Sequence, residues 1–307
     1  MNYSLNQLAI FLKIVQTRSI TKTAESMHLT QPAVSIQLKN FQSQFNVPLI
    51  EIINKKVYIT EFGKDIAESA QNIMNEVSVI DNRLTKYNGS LTGTLRMSSV
   101  STGKYVIPYF LTDFLRENQN VDLRLDVSNK ATVLDLLEQN QSDFSLVSDL
   151  PKHMALQRIE LMPNSLYLVG AGNQSWQSDL INKQTIEKLP LIYREEGSAT
   201  RMAMEKFIEK NRITVKKKIQ LTSNEAVKQA VIAGIGFSIM PVIGLKNELE
   251  NEQLQIIPIK GLPIKTSWNL IWHRKKRLSP VATAFKEYIE QHKKDIIHSN
   301  FNWIQGL

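Results

Sequence analysis

Leu5, Leu8, Phe11, Leu12 and Val15 recur every three or four residues, so the chain opens with an amphipathic helix. A second helix follows, capped by Ser19, with Ile20, Ala24 and Met27 facing one way. His28-Leu29 makes a tight connection, and Thr30 is placed to cap a third helix. Pro32 suits that start, because the first helical turn needs no N–H from it. Val34, Leu38 and Phe41 form the buried stripe of the third helix. Gln31, Ser35, Gln37, Lys39 and Gln42 are left on its other side.

That polar side is unusual for a solvated helix face, which is commonly rich in Glu and Lys. No acidic residue occurs from Thr30 to Gln42. Gln can pair with adenine N6 and N7, Ser permits close approach, and Lys reaches guanine or phosphate, so the face suits the DNA major groove. The segment LIEIINKKVYIT reads as two short strands around an Asn54-Lys55-Lys56 turn, a wing whose lysines can touch phosphate. Helix, helix, recognition helix and hairpin make a winged helix-turn-helix.

Thr60 starts a longer helix in which Ile66, Ala70, Ile73, Val77, Ile80, Leu84 and Tyr87 alternate at spacings of four and three. This heptad pattern marks a stripe that one helix cannot bury against itself, and it predicts a dimerisation helix ending near Asn88-Gly89-Ser90. From Leu91 the pattern changes to strands alternating with helices, the sign of an α/β domain with a parallel-rich sheet. TLRMSSV, VDLRLDVSN and DFSLVSD are strands of a first unit; SLYLVGAG, PLIYREE, KKKIQLTS and FSIMP belong to a second. Trp268 to Trp272 is a strand returning to the first unit. Crossings near Leu161–Pro163 and Lys265–Ser267 would leave two lobes enclosing a cleft. The expected domains are 1–60, 61–90 and 91–307, with lobe 1 about 91–162 and 267–307 and lobe 2 about 163–266.

Composition narrows the class. Over 307 residues, 42% hydrophobic and 21% charged content is that of a globular protein. A formal charge of +8 favours a polyanionic partner. No run approaches a membrane span, and the polar breaks in MNYSLNQLAIFLKIVQ do not suit a signal peptide, so the expected location is the cytoplasm, without a membrane partner. With no cysteine, scattered histidines and neither a GxSxG elbow nor a P-loop, no catalytic residue, metal site or cofactor is expected. The glycine pairs Gly170/Gly172 and Gly234/Gly236 read as turns, and His273–Arg277 (HRKKR) as a solvated basic turn, with an added DNA contact as the other reading.

The segment LNQLAIFLKIVQTRSITKTAESMHLTQPAVSIQLKNF, followed by PLIE…KKVYITEFG, resembles the DNA-binding region of LysR-type transcriptional regulators, and the likeness runs the length of the chain. It implies that Gln31, Pro32 and Ser35 lie in the major groove and Lys55 and Lys56 in the wing. Asn40-Phe41-Gln42 stands where the family usually has Leu-Glu. Ile50-Glu51-Ile52 replaces a Phe-x-Arg, so a phosphate-contacting arginine is missing from the wing. Ser19, Thr21, Thr30, Gln37 and Lys39 complete the candidate DNA-contacting set. The resemblance also implies that the α/β part is a two-lobed effector-binding domain similar to periplasmic solute-binding proteins. Within the family, STGKYVIP, REEGSATRMAMEKF, SNEAVKQAVIAG and RKKRLSPVATAF are most similar to regulators of Calvin-cycle (RuBisCO) operons, which implies a phosphorylated or redox metabolite as effector.

Candidate effector residues are the polar strand ends facing the cleft. Ser101 and Thr102 sit at a strand-to-helix turn, and Ser148 ends a strand. Arg194, Ser198, Thr200 and Arg201 flank Gly197, while Ser223 and Asn224 start a helix. Two arginines among hydroxyls suit a small anion. The expected partners are a double-stranded DNA operator, a small-molecule effector, RNA polymerase, and copies of the chain in a homodimer or homotetramer. A solute-binding-type ligand receptor without a primary DNA-binding role is the alternative, and an enzyme with a cleft active site is a second rival.

Overall fold

The computed structural model describes residues 3–53, 56–87, 91–173 and 183–306, with backbone alone for 78–87, 183 and 305–306. Helix α1 (Leu5–Thr17) starts at a capping box: the Ser4 hydroxyl accepts from the Gln7 N–H at 3.3 Å, and Gln7 Oε1 accepts from the Ser4 N–H at 2.9 Å. Ser19 caps α2 (Ile20–Ser26), and Thr30 caps α3 (Gln31–Gln42), with Pro32 in the first turn of α3. Strands β1 (Ile50–Ile53) and β2 (Lys56–Ile59) form the antiparallel wing, Ile50 opposite Ile59. Phe11, Ile14, Val34, Leu38, Phe41 and Leu49 close a core between these elements. Each large side chain fully removed from water there contributes about 1.5–3 kcal/mol.

Helix α4 (Glu61–Tyr87) is seated on that core. At Gly63 an added Cβ would stand 2.0 Å from the Leu49 carbonyl oxygen, so the first turn reaches the wing only because glycine is there. The expected dimerisation stripe lies in part against its own chain. Ala70, only 1% exposed, and the partly buried Ile66 are spent against α1 and the winged-helix core. A stripe at heptad spacing packs equally well on a neighbouring helix of its own chain, which is what occurs in the first turns. Ile73 is exposed and Val77 half-buried. The side chains of Ile80, Leu84 and Tyr87, the expected hinge at 88–90, and Lys55 in the wing lie outside the described residues.

The α/β part runs β3 (Gly93–Val100), α5 (Ile107–Glu117), β4 (Val121–Ser128), α6 (Lys130–Glu138), β5 (Phe144–Val147) and β6 (Leu156–Ala171). It continues through α7 (Lys183–Ile186), β7 (Pro190–Tyr193), α8 (Ala199–Lys210), β8 (Lys217–Gln220), α9 (Asn224–Ile232) and β9 (Ser238–Pro241). It ends with α10 (Lys246–Glu250), β10 (Leu254–Ile257), β11 (Ile264–His273) and α11 (Pro280–Phe301). β3, β4 and β5 pair in parallel, as do β7 and β8, but β6, β9, β10 and β11 are antiparallel to their neighbours, so the sheet is more mixed than the pattern predicted. β6 is a single strand of 16 residues. It pairs with β11 from Leu156–His273 to Leu166–Ile264, and Pro163 lies opposite Ser267, beside a bulge at Trp268/Asn269. These two strands carry the chain between lobes.

One lobe is built around Phe110, Phe114, Phe144, Trp268 and Phe285, with α11 supplying Phe285, Ile289, Ile296 and Phe301. The other has a core on each face of its strands: α8 brings Met204 and Phe207 to one side, and α9 brings Val227 and Val231 to the other. The basic run 273–277 is not simply a solvated turn. The Lys276 side chain is 5% exposed, its ammonium donating to Asn140 Oδ1 (2.6 Å) and the Ser142 carbonyl (2.7 Å) and lying 3.3 Å from Asp143 Oδ1. Burial holds its pKa below the usual lysine value, with Asp143 opposing the shift. Arg277 reaches out of the lobe to Glu76 of α4 at 2.8 Å, and its carbonyl accepts from Asn75 Nδ2 at 3.2 Å.

Tyr193, in the core beneath α8, has its phenol pushed up to about 12 from the ordinary 10.0, by burial first and then by the Glu205 carboxylate. The folded chain therefore holds this proton more tightly than the unfolded chain does. The contribution is complete below pH 10 and lost as pH rises through 12. Urea unfolding across that window should show a falling midpoint, and Tyr193→Phe should flatten part of the fall. An unchanged slope in the variant would assign the alkaline loss to other groups.

Candidate functional site

The outward face of α3 carries Gln31, Pro32, Ser35 and Lys39, of which Gln31, Pro32 and Lys39 are exposed and Ser35 half-buried. Gln37 sits half-buried at its flank. The spacing i, i+1, i+4 and i+8 puts the four on one side, opposite Val34, Leu38 and Phe41. Thr30 and Ser19 are occupied as caps, accepting from the Ala33 N–H at 3.4 Å and the Lys22 N–H at 3.3 Å. Thr21 is exposed in the first turn of α2, and Lys56 is exposed at the wing.

Two residues of α3 differ from the sequence reading. Gln42 turns back to the wing, its Oε1 accepting from the Ile50 N–H at 3.4 Å. Ile36, 57% exposed, lies within the outward face. Its periodicity offered no core partner, and that was the signal available for it; an apolar group at such a place suits a thymine methyl.

The strand ends of the α/β part meet around Arg194, which directly follows β7 and is 3% exposed. Its Nε and Nη2 form a two-point pair with Glu195, at 2.7 and 2.8 Å. Nη2 also donates to Ser101 Oγ (3.1 Å), and Nη1 to Asn224 Oδ1 (3.3 Å). A guanidinium has five N–H donors, and these four bonds leave one on Nη1. The Arg194–Ser101 bond runs from one lobe to the other. Two more interlobe bonds flank it: Tyr105 Oη donates to Glu225 Oε2 at 3.4 Å, and the Ala131 N–H donates to the Gly197 carbonyl at 3.3 Å. Gly197 has φ +81, and a Cβ there would stand 3.1 Å from that of Ala131, so glycine serves both the turn and the close approach.

The remaining candidates divide. Thr102 is buried beside Ser101. Ser223 and Ser198 are helix caps, accepting from the Ala226 N–H (3.0 Å) and the Arg201 N–H (3.5 Å). Ser148 and Thr200 line a neighbouring cavity of about 300 Å³ between α8 and the crossing strands, together with Asn164, Phe207 and Thr266. Arg201 is not joined to the Ser101 group. Its guanidinium is taken up by Glu205 (2.8 Å), Gln220 (3.0 Å) and the Arg194 carbonyl (3.3 Å), so it braces Arg194 from behind. Glu195, Tyr105 and Glu225 escaped the sequence reading. An acidic residue adjoining an arginine gives no sign of whether the two will pair.

Comparison with known proteins agrees with both halves. Residues 5–64 match the bacterial regulatory helix-turn-helix protein, lysR family, and residues 88–294 match the LysR substrate binding domain. The HTH-type transcriptional activator CmpR of Synechocystis is 33% identical over 96% of this chain and 97% of its own length. A RuBisCO operon transcriptional regulator of Allochromatium vinosum is 32% identical, covering 94% of this chain and 96% of its own. The regulatory domain of Synechocystis CcmR, solved in complex with 2-PG, is 27% identical with a TM-score of 0.62, covering 69% of this chain and 99% of that one. The chain therefore belongs to the LysR family of DNA-binding transcriptional regulators, and within it to the group that includes the regulators of RuBisCO operons.

Proposed function

We propose that this regulator reads its operator with α3 and senses a small anionic metabolite held between its lobes by Arg194. Gln31, Pro32, Ser35, Gln37 and Lys39 enter the major groove, Ser19, Thr21 and Thr30 lie at the flanking backbone, and Lys55 and Lys56 follow the phosphates from the wing. The observation carrying the sensing half is a buried guanidinium that spans the lobes and keeps one donor free. Ser101 and Asn224 bond it, Thr102, Ser198 and Ser223 complete the proposed site, Ser148 and Thr200 line the adjoining cavity, and Arg201 acts by positioning Arg194. The 2-PG bound to the CcmR regulatory domain is an anion of this class. The chain divides at about 60 and 90, with lobes of 91–162 plus 267–307 and 163–266. It works in the cytoplasm as a homodimer or homotetramer that contacts RNA polymerase. A ligand shifts such an assembly only by binding one arrangement better than another.

Gln31→Ala should weaken operator binding and relax base preference, by about 1–3 kcal/mol for a lost two-point base contact. A gel-shift titration with unchanged affinity and specificity would remove α3 from the groove. A joint Ile73→Asp, Val77→Asp change should lower the sedimenting mass, and an unchanged mass would return the rest of that stripe to intramolecular packing. In thermal unfolding of the full chain, 2-phosphoglycolate at a hundredfold excess over its dissociation constant should stabilise by about 2.7 kcal/mol. Arg194→Gln should abolish that shift while leaving operator binding in place. A shift that survives the substitution would move the effector site elsewhere.

A further inference from the structure

Between the winged helix and the first lobe lies a cavity of about 350 Å³. Lys13 and Gln16 of α1, Gln71 of α4, Arg96 of β3 and Arg124 of β4 line it, with Asp126 as its one carboxylate. Arg96 and Arg124 are direct partners in the parallel β3–β4 ladder. Neighbouring strands lie about 4.8 Å apart, and like charges placed opposite each other destabilise a sheet. Among the described residues, the side chains of Arg96, Arg124 and Lys13 make no ion pair or hydrogen bond, and the charge of Arg96 adds to the forces lowering the pKa of the nearby Lys276. Three cations thus converge from two folding units with amide side chains beside them. The Arg277–Glu76 pair and the Asn75–Arg277 bond join the two units nearby.

We propose that this cavity is a binding site for a small, multiply charged phosphate anion, which links the DNA-binding unit to the first lobe. An anion there removes the repulsion between Arg96 and Arg124 and gives Lys13, on the other unit, a shared partner. The guanidinium forks suit phosphate oxygens, and the glutamine amides supply neutral donors at the same surface. A space of about 350 Å³ is of small-molecule size. The site is separate from Arg194, and its occupancy would bear on how firmly the winged helix is held to the lobe.

Pyrophosphate is the probe, titrated calorimetrically into the full chain at constant ionic strength. Binding should be stronger than for sulfate and should compact the particle in small-angle scattering. Arg124→Gln and Lys13→Gln, one from each unit, should each weaken binding by about tenfold or more, equivalent to about 1.4 kcal/mol. In an Arg194→Gln background, Arg124→Gln should still weaken pyrophosphate binding by the same factor, which separates this site from the interlobe site. Both glutamine variants should melt no lower than the wild-type chain, and any that does is replaced by Arg96→Lys, which keeps charge but loses the fork. Absence of binding at millimolar pyrophosphate, or equal affinity in all variants, would overturn the proposal. So would loss of operator binding in Arg124→Gln with pyrophosphate binding intact, because the patch would then serve DNA.

Discussion

Everything in the sensing half hangs on the antiparallel ladder of β6 and β11. These two strands are the ones shared by both lobes, and their pairing from Leu156–His273 to Leu166–Ile264 sets the relative positions of the lobe cores. The bulge at Trp268/Asn269 lies beside the Pro163–Ser267 pair, where the ladder passes from one lobe to the other. A bulge adds twist and local bend, so it is a natural place for the lobe angle to be adjusted without breaking the rest of the ladder.

Arg194 is a buried charge bonded across the lobes. Burying a guanidinium costs several kcal/mol unless it is paired and its donors are satisfied. Glu195 supplies the charge and Ser101 and Asn224 supply acceptors, one of them from the opposite lobe. Closing the lobes therefore helps satisfy the arginine. Under the proposed function, an anion arriving at its remaining donor would compete with or add to the same bonds and so gain a differential affinity for one lobe arrangement.

The DNA-binding half is joined to the sensing half by more than chain continuity. Glu76 and Asn75 of α4 both bond Arg277, whose neighbour Lys276 is anchored in the lobe by Asp143 and two oxygen acceptors. Arg277 and Glu76 are both exposed, so the pair itself contributes little, within about 1 kcal/mol. It joins the 273–277 turn to the helix that also carries Ala70 and Ile66 of the winged-helix core.

Features set by neighbours a few residues apart were legible in the sequence by itself. The caps at Ser19, Thr30 and Ser223, the buried stripe Val34-Leu38-Phe41, the wing, and eight strands of the α/β part all follow from local pattern and backbone chemistry. The placing of Arg194, Ser101 and Asn224 at element ends was legible in the same way. Tertiary structure alone decided which groups meet. It joined β6 into one strand from Leu156, sent Gln42 inward and Ile36 outward, spent Ala70 on the chain's own core, and turned Arg201 into a brace. The physical reason is range. Periodicity and capping are fixed by contacts within a helical turn or a strand pair, whereas a guanidinium chooses among acceptors that folding brings from 93 or 30 residues away.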